Sequence, residues 1–315
     1  MNGEGQRLRW AGPRAGARRH ASPDAVGSVA RSVSDAEFAR FQALVHQEAG
    51  IWLSPAKKAL LAGRLAKRLR ELGLASYGDY FEIVRTDEAE RTHMLDCVST
   101  NETHFFREPR HFELLAERVY PAWQADCDAG RRPRRIRAWS AACSTGEEPF
   151  TLAMSLLRAF PPGSGWDIEI LATDLSTRVL ERAREAVWPI AKAKEIPPLL
   201  LKAFMLRGTG SQEGRMKAGP ELRSLVRFAR LNLNHDAYPA LGQFDLLFCR
   251  NVLIYFDPAT KLRVVGRLLA HLAPDGHLFL GHAESLGGMT DRLRSVIPTV
   301  YVHARTQAPG LRRTS

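Results

Sequence analysis

The sequence predicts an α/β protein: a small all-α unit followed by a doubly wound, mainly parallel sheet that carries a small antiparallel β insertion. Three observations predict it. Between Ser34 and Val98, apolar residues recur at helical spacing between start and stop signals. From Arg135 onward, strand-like apolar runs alternate with helical patterns, which calls for crossover connections and parallel strands. Between about 205 and 222, glycines punctuate short segments in the manner of tight hairpins. A chain of 315 residues, 45% hydrophobic and 25% charged, suits roughly two domains with a full core.

Taken in order, residues 1–33 are rich in Gly, Ala, Arg and Ser and read as a disordered basic leader. Its arginines precede no apolar run, so no signal peptide is expected. Ser34 and Glu37 form a capping box, followed by Phe38, Phe41, Leu44 and Val45 on one helical face. Gly50 stops that helix and Ser54-Pro55 starts a second, with Leu60, Leu61, Leu65, Leu69 and Leu72 on one side. Lys57, Lys58, Arg64, Lys67, Arg68 and Arg70 fill the rest, with no acid between 57 and 70. That basic face is either a solvated helix surface or a dock for an acidic helical partner. Helices around Tyr77–Val84 and Glu88–Val98 complete a unit at 34–98. The polar stretch 99–110 is expected to be a linker at an interdomain site, and the α/β unit occupies 111–303. Within it, the pattern predicts a helix over Ser176–Trp188, another from Pro197-Pro198 to Met205, and strands at Leu225–Leu231, Phe244–Cys249, His277–Gly281 and Thr299–His303. Asp257-Pro258 caps a helix that runs to Leu272. Residues 304–315 form a disordered tail.

Charge and cysteine content exclude several classes. Residues 1–33 carry six arginines against Glu4 and Asp24, a net +4, and the tail adds +3, so the two ends hold +7 of the net +11. The folded part is only mildly basic, which argues against a specific nucleic-acid face. No apolar run is long enough to span a membrane. Cys97, Cys127, Cys143 and Cys249 are widely spaced, as expected of reduced thiols in a cytoplasm, and the histidines show no metal-ligand spacing.

The run Trp139-Ser-Ala-Ala-Cys-Ser-Thr-Gly-Glu-Glu-Pro149 reads as a strand, a turn of small residues and a helix start. Asp174 follows Gly146 by 28 positions, at the end of the next strand. A carboxylate there can grip two ribose hydroxyls. Ala141 and Ser144 stand where dinucleotide sites carry glycines, and Glu147 and Glu148 would repel a phosphate. A nucleoside without phosphates but with a cationic group fits better, and S-adenosylmethionine is such a compound. The same residues are equally compatible with an ordinary βα turn in which Asp174 caps the helix at Ser176. Polar residues collect at the other strand ends too: Asn232-Leu233, Arg250-Asn251 and Glu284. The serine of Gly281-His-Ala-Glu-Ser285 is misplaced for a nucleophile elbow.

Six spaced segments together resemble the CheR family of chemotaxis-receptor glutamate methyltransferases: 100–108 (TNETHFFRE), 139–149 (WSAACSTGEEP), 172–174 (ATD), 207–210 (RGTG), 248–256 (FCRNVLIYF) and 278–285 (LFLGHAES). The resemblance implies a Rossmann-like, S-adenosylmethionine-dependent methyltransferase domain. It implies methyl transfer to the γ-carboxylate of glutamates in methyl-accepting chemotaxis receptors, leaving S-adenosylhomocysteine. Carried over residue by residue, cofactor contacts fall on Asn101, Thr103, Arg107, Glu147, Asp174, Asn232, Leu233, Cys249 and Arg250, with Arg107 and Tyr255 facing the reacting groups. The helical unit is implied in receptor recognition, here through Arg64, Lys67 and Arg68. The insertion around Gly208 and Gly210 docks a receptor tail in some members. A cytoplasmic monomer acting on the acidic helical region of the receptors is expected.

The chemistry is consistent with that assignment. A glutamate acceptor is already ionised at neutral pH, with a reference pKa of about 4.3, so no general base is needed. The site must align nucleophile and methyl carbon, and Arg107 can orient a carboxylate with its planar fork. Alone, Tyr255 also suits a half-buried core position, Arg250 an ion pair and Asn251 a cap.

Overall fold

A computed structural model describes residues 32–287 and 290–304. The leader and tail expected to be disordered lie outside these residues, apart from their inner ends. Of those, Val33 is 2% exposed and packs into the helical core.

Four helices form the first unit: α1 Asp35–Ala49, α2 Lys58–Leu72, α3 Tyr77–Thr86 and α4 Glu88–Val98. Their bounds follow local chemistry. Ser34 and Glu37 complete the capping box, Ser76 and Asp87 cap α3 and α4, and Gly50 and Gly73 end α1 and α2 at positive φ. Phe41, Leu65, Leu69, Tyr77 and Tyr80 close a separate apolar core.

The second unit begins with α5 Pro109–Leu114, a π turn over Leu115–Val119, and α6 Tyr120–Asp128. Pro121 has no N–H to donate to the residue four before it, and the wider turn takes up the mismatch. There follow β1 Arg135–Ala141, α7 Glu147–Ala159, β2 Asp167–Asp174, α8 Thr177–Glu185 and β3 Val187–Pro189. Next come α9 Pro198–Phe204, β4 Met205–Arg207, β5 Arg215–Ala218 and α10 Pro220–Leu225. The chain closes with β6 Val226–Arg230, β7 Phe244–Cys249, α11 Pro258–Ala270, β8 Leu272–Leu280, β9 Leu293–Ile297 and β10 Val300–His303.

The main sheet runs β6-β2-β1-β7-β8-β10-β9. Strands from β6 to β8 are parallel, and β10 and β9 join antiparallel at one edge. The chain leaves β1 toward β2 on one side and returns on the other as β7, so the topological switch point lies between β1 and β7. A second sheet, β3-β5-β4, is wholly antiparallel. Its first strand comes from within the expected Ser176–Trp188 helix. Ala186 takes φ +52 at the end of α8, and Val187–Pro189 then pair with Lys217, Met216 and Arg215. The insertion therefore draws on residues upstream of 205.

Candidate functional site

The carboxyl ends of β1, β2 and β7 face the helical unit across a cleft enclosing about 1200 Å³, open solvent at its mouth included. One wall is Ala49, Ile51, Leu53, Lys57, Leu60 and Arg64; the other is the switch-point turns, Asp174, Asn232, Leu233, Arg250 to Val252, and Tyr255. Residues 98–104 and Arg107 run between them.

After β1 the backbone turns sharply, with Ala142 at φ +68, Ser144 at +49 and Gly146 at +95. At Gly146, a φ of +95 and a Cβ that would come within 3.2 Å of the Ala183 backbone both favour glycine against α8. This turn aims the Ser144 N–H at Asp174 Oδ2 (2.8 Å), while Ser176 N–H donates to Oδ1 (2.9 Å). Asp174 thus combines both alternatives open at the sequence level, since it caps the helix start and lines the cleft. Burial pushes its carboxyl above the usual range, against the pull of those N–H groups. Each oxygen accepts one N–H and keeps lone-pair capacity for two ribose hydroxyls. Ala142 and Ser144 present side chains on the cleft wall at this turn, in place of the bare backbone that glycines would give a phosphate. The residues present therefore fit an unphosphorylated nucleoside.

Glu147 and Glu148 separate sharply. Glu147 is 1% exposed but absent from the cleft wall; its carboxylate takes Lys192 Nζ (2.6 Å) and Thr145 Oγ1 (2.6 Å). Glu148 is the acid on the wall, held by Ser140 Oγ (2.6 Å) and by Arg250 Nη1 at 3.4 Å. Burial raises its carboxyl pKa, and a cationic ligand group beside it would favour the ionised form. Adjacent helix positions differ by about 100°, which spacing alone could not assign to a face.

Asn101, Thr103, Arg107, Asp174, Asn232, Leu233, Arg250 and Tyr255 do meet on the one cleft. Cys249 does not: its side chain is fully buried in the core beneath, where burial drives the thiol pKa well up. Arg250 both lines the cleft and is ion-paired, to Glu148 and to Glu108 (3.2 Å). Burial would raise the Glu108 carboxyl; Arg250 and the His282 N–H hold it below the usual range. Asn232 Nδ2 donates to Glu48 O (2.6 Å) and Asn234 Nδ2 to Gln47 O (3.1 Å), so the loop after β6 caps the end of α1. Arg107 donates to Glu102 O (3.1 Å), and Lys57 Nζ sits 5.2 Å over the Tyr255 ring.

The expected docking residues divide as well. Arg64 serves Val98 O, Ser99 O and Thr100 Oγ1, pinning the linker from beneath the cleft. Arg68 is ion-paired to the buried Glu90 (2.5 Å), which also accepts from Tyr80 (2.8 Å). Of the three only Lys67, 81% exposed, projects into solvent. Gly208 and Gly210 lie on the β4–β5 connection, outside the cleft wall.

No helix among the described residues is long and apolar enough to cross a membrane, and no His/Cys/Asp/Glu group among them could hold a metal. Comparison with known proteins identifies the family. The family model "CheR methyltransferase, all-alpha domain" matches residues 36–99, and "CheR methyltransferase, SAM binding domain" matches 101–302. The chemotaxis protein methyltransferase of Escherichia coli (strain K12) is 39% identical over 86% of this chain and 91% of its own length. Chemotaxis protein methyltransferase 2 of Pseudomonas aeruginosa is 39% identical over 84% and 92%. A glycopeptide N-methyltransferase solved with S-adenosyl-L-homocysteine aligns over 62% of this chain and 60% of its own, at 18% identity and a TM-score of 0.31. On the family models and these relatives, the chain belongs to the CheR methyltransferase family, methylating with S-adenosylmethionine in chemotaxis.

Proposed function

We propose that this protein transfers a methyl group from S-adenosylmethionine to the γ-carboxylate of glutamates in the cytoplasmic helical region of chemotaxis receptors. The products are glutamate 5-O-methyl esters and S-adenosylhomocysteine. The observation that carries this reading is the convergence of Asp174, Glu148, Arg107 and Tyr255 on one cleft between the helical and α/β units. The bound cofactor supplies an electrophilic methyl on a sulfonium. Asp174 holds the ribose through its free lone pairs, and Glu148 holds the cationic end. Leu175, Leu231 and Leu233 give the cleft apolar walls for the base. Arg107 would pair with the incoming carboxylate and orient it toward the methyl group that the cofactor would supply. Tyr255 sets its phenol beside the reacting groups. The acceptor is ionised already, so no proton has to move.

The helical unit over 34–98 would present the receptor, with Lys67 on its exposed basic face attracting acidic helices. The antiparallel insertion bearing Gly208 and Gly210 offers a further receptor contact. The protein works as a monomer in the cytoplasm. The deciding experiment incubates it with labelled cofactor and receptor-containing membranes. Base-labile methyl esters on receptor glutamates, located by mass spectrometry, support the proposal. Label on RNA, on small molecules or nowhere overturns it.

A further inference from the structure

The exit loops of β7 and β8 press together at the cleft rim, with the Glu284 carboxylate between them. Glu284 is fully buried, and three backbone N–H groups engage it where a cation might have been expected. Asn251 N–H and Gly281 N–H donate to Oε2, each at 2.7 Å, and Ile254 N–H donates to Oε1 at 3.2 Å. The loops are too close for any side chain at Gly281, whose Cβ would lie 2.8 Å from Asn251 N. Asn251 itself is held at φ +59, in the left-handed region that asparagine tolerates better than most non-glycine residues and that the surrounding contacts hold in place. The two N–H groups gripped on the β7 side belong to Asn251, two residues before the turn Leu253–Tyr255, and to Ile254 in its middle, and Tyr255 is the next residue after the second. Glu284 is not on the cleft wall, whereas Asn251, Val252 and Tyr255 are.

We propose that Glu284 is a positioning residue for methyl transfer: its carboxylate clamps the backbone at Asn251 and at Ile254, the two ends of the segment leading to Tyr255, and so fixes Tyr255 against the reacting groups. This rests on the role given to Tyr255 above. A carboxylate is suited to the task because its two oxygens accept several N–H groups and donate none. An amide of the same shape must turn its NH2 toward one of those donors.

The test is a double-variant cycle on the full chain with receptor-containing membranes, reading kcat, receptor KM, cofactor Kd by calorimetry and thermal midpoint. Glu284→Gln is expected to lower kcat about 10- to 100-fold, with cofactor Kd within about 3-fold. Adding it to Tyr255→Ala should lower kcat no further, because the two act as one unit. Should Glu284→Gln not fold, Glu284→Asp, which keeps the charge one methylene short, carries the same cycle. An impaired Tyr255→Ala with multiplicative loss in the double variant overturns the proposal alone. So does a Glu284 variant with a lowered midpoint and wild-type kcat. Wild-type turnover by Tyr255→Ala overturns the reading of Tyr255, and this inference with it.

Discussion

The two rims of the main sheet carry charge in opposite ways. At the amino edge, Arg132 pairs with Asp245 (3.0 Å) and stacks 4.3 Å from the Trp123 ring. Arg137 pairs with Glu169 (3.1 Å) and donates to the Leu241 and Gln243 carbonyls. At the carboxyl edge, Asp174 and Glu284 sit buried on backbone N–H groups, and Arg250 is shared between Glu108 and Glu148. Backbone strain follows the same split. The loops entering β1, β2 and β7 take positive φ at Gly130, Gly163, Gly165 and Gly242. The loops leaving β1 and β7 also take it at Ala142, Ser144 and Asn251. Non-glycine residues in that region are costly. A crevice at the amino edge is rich in arginine yet largely self-neutralised, so an abundance of charge does not mark a site. Carboxylates left with spare lone pairs, over turns the sequence would not choose for stability, do mark one.

The sharpest way to break this contrast is Arg250→Met. Removing a guanidinium from two buried carboxylates should cost about 3–5 kcal/mol, seen as a large fall in denaturant midpoint and loss of cofactor uptake. A mild effect would place Arg250 with the ordinary surface pairs. Asp174→Ala comes next: loss of two charge-assisted bonds to a ribose should weaken cofactor Kd at least 100-fold by calorimetry. Arg137→Met, at the opposite rim, should leave that Kd within about 2-fold while lowering stability.

Acid separates the rims again. Burial pushes both His111, near Glu108 and Arg250, and His277, beside Arg294 at the amino edge, down to about 4. Each is neutral in the folded state, whereas the unfolded chain takes up a proton near pH 6.5. Their contribution is therefore complete above about pH 6.5 and disappears as pH falls toward 4. For His111, 1% exposed, the bound is about 3 kcal/mol. Thermal midpoints at pH 5 and 7.5 should converge in His111→Gln and in His277→Gln, but only the first should alter cofactor affinity.

Relief of strain gives a smaller effect of opposite sign. Ala142→Gly should raise stability by up to about 1 kcal/mol, a shift of a few degrees, and weaken cofactor binding by loosening the turn. Smallest of all, Lys67→Glu should leave stability within about 0.5 kcal/mol yet slow receptor methylation in a salt-dependent way. Arg68→Glu should unfold the helical core instead, by setting a second acid against Glu90.

Much of this was legible in the chain. The Ser34–Glu37 box, the Asp257 cap and the glycine stops placed helix ends because each is a contact over a few residues. The strand ends bearing Asp174, Asn232 and Arg250 followed from alternation of strands and helices. What escaped depends on facing and on distant partners. Glu148 rather than Glu147 reaches the cleft because of one helical step. Arg64 and Arg68 turn inward because Val98 O and Glu90, more than twenty residues away, need donors. The strand Val187–Pro189 hid inside a helical pattern since its partner β5 lies far downstream. Glu284 stood out as a polar residue at a strand end, yet it turns away from the cleft because its partners are backbone amides, which no side-chain motif records.

The helical unit supplies one whole wall of the cleft, from Ala49 to Arg64, and its first helix is capped by Asn232 and Asn234. A chimera that exchanges this unit would exchange that wall of the cleft as well. On the proposed reading, in which the unit presents the receptor, acceptor preference and cofactor strength would be coupled traits, and selecting for one would drag the other along.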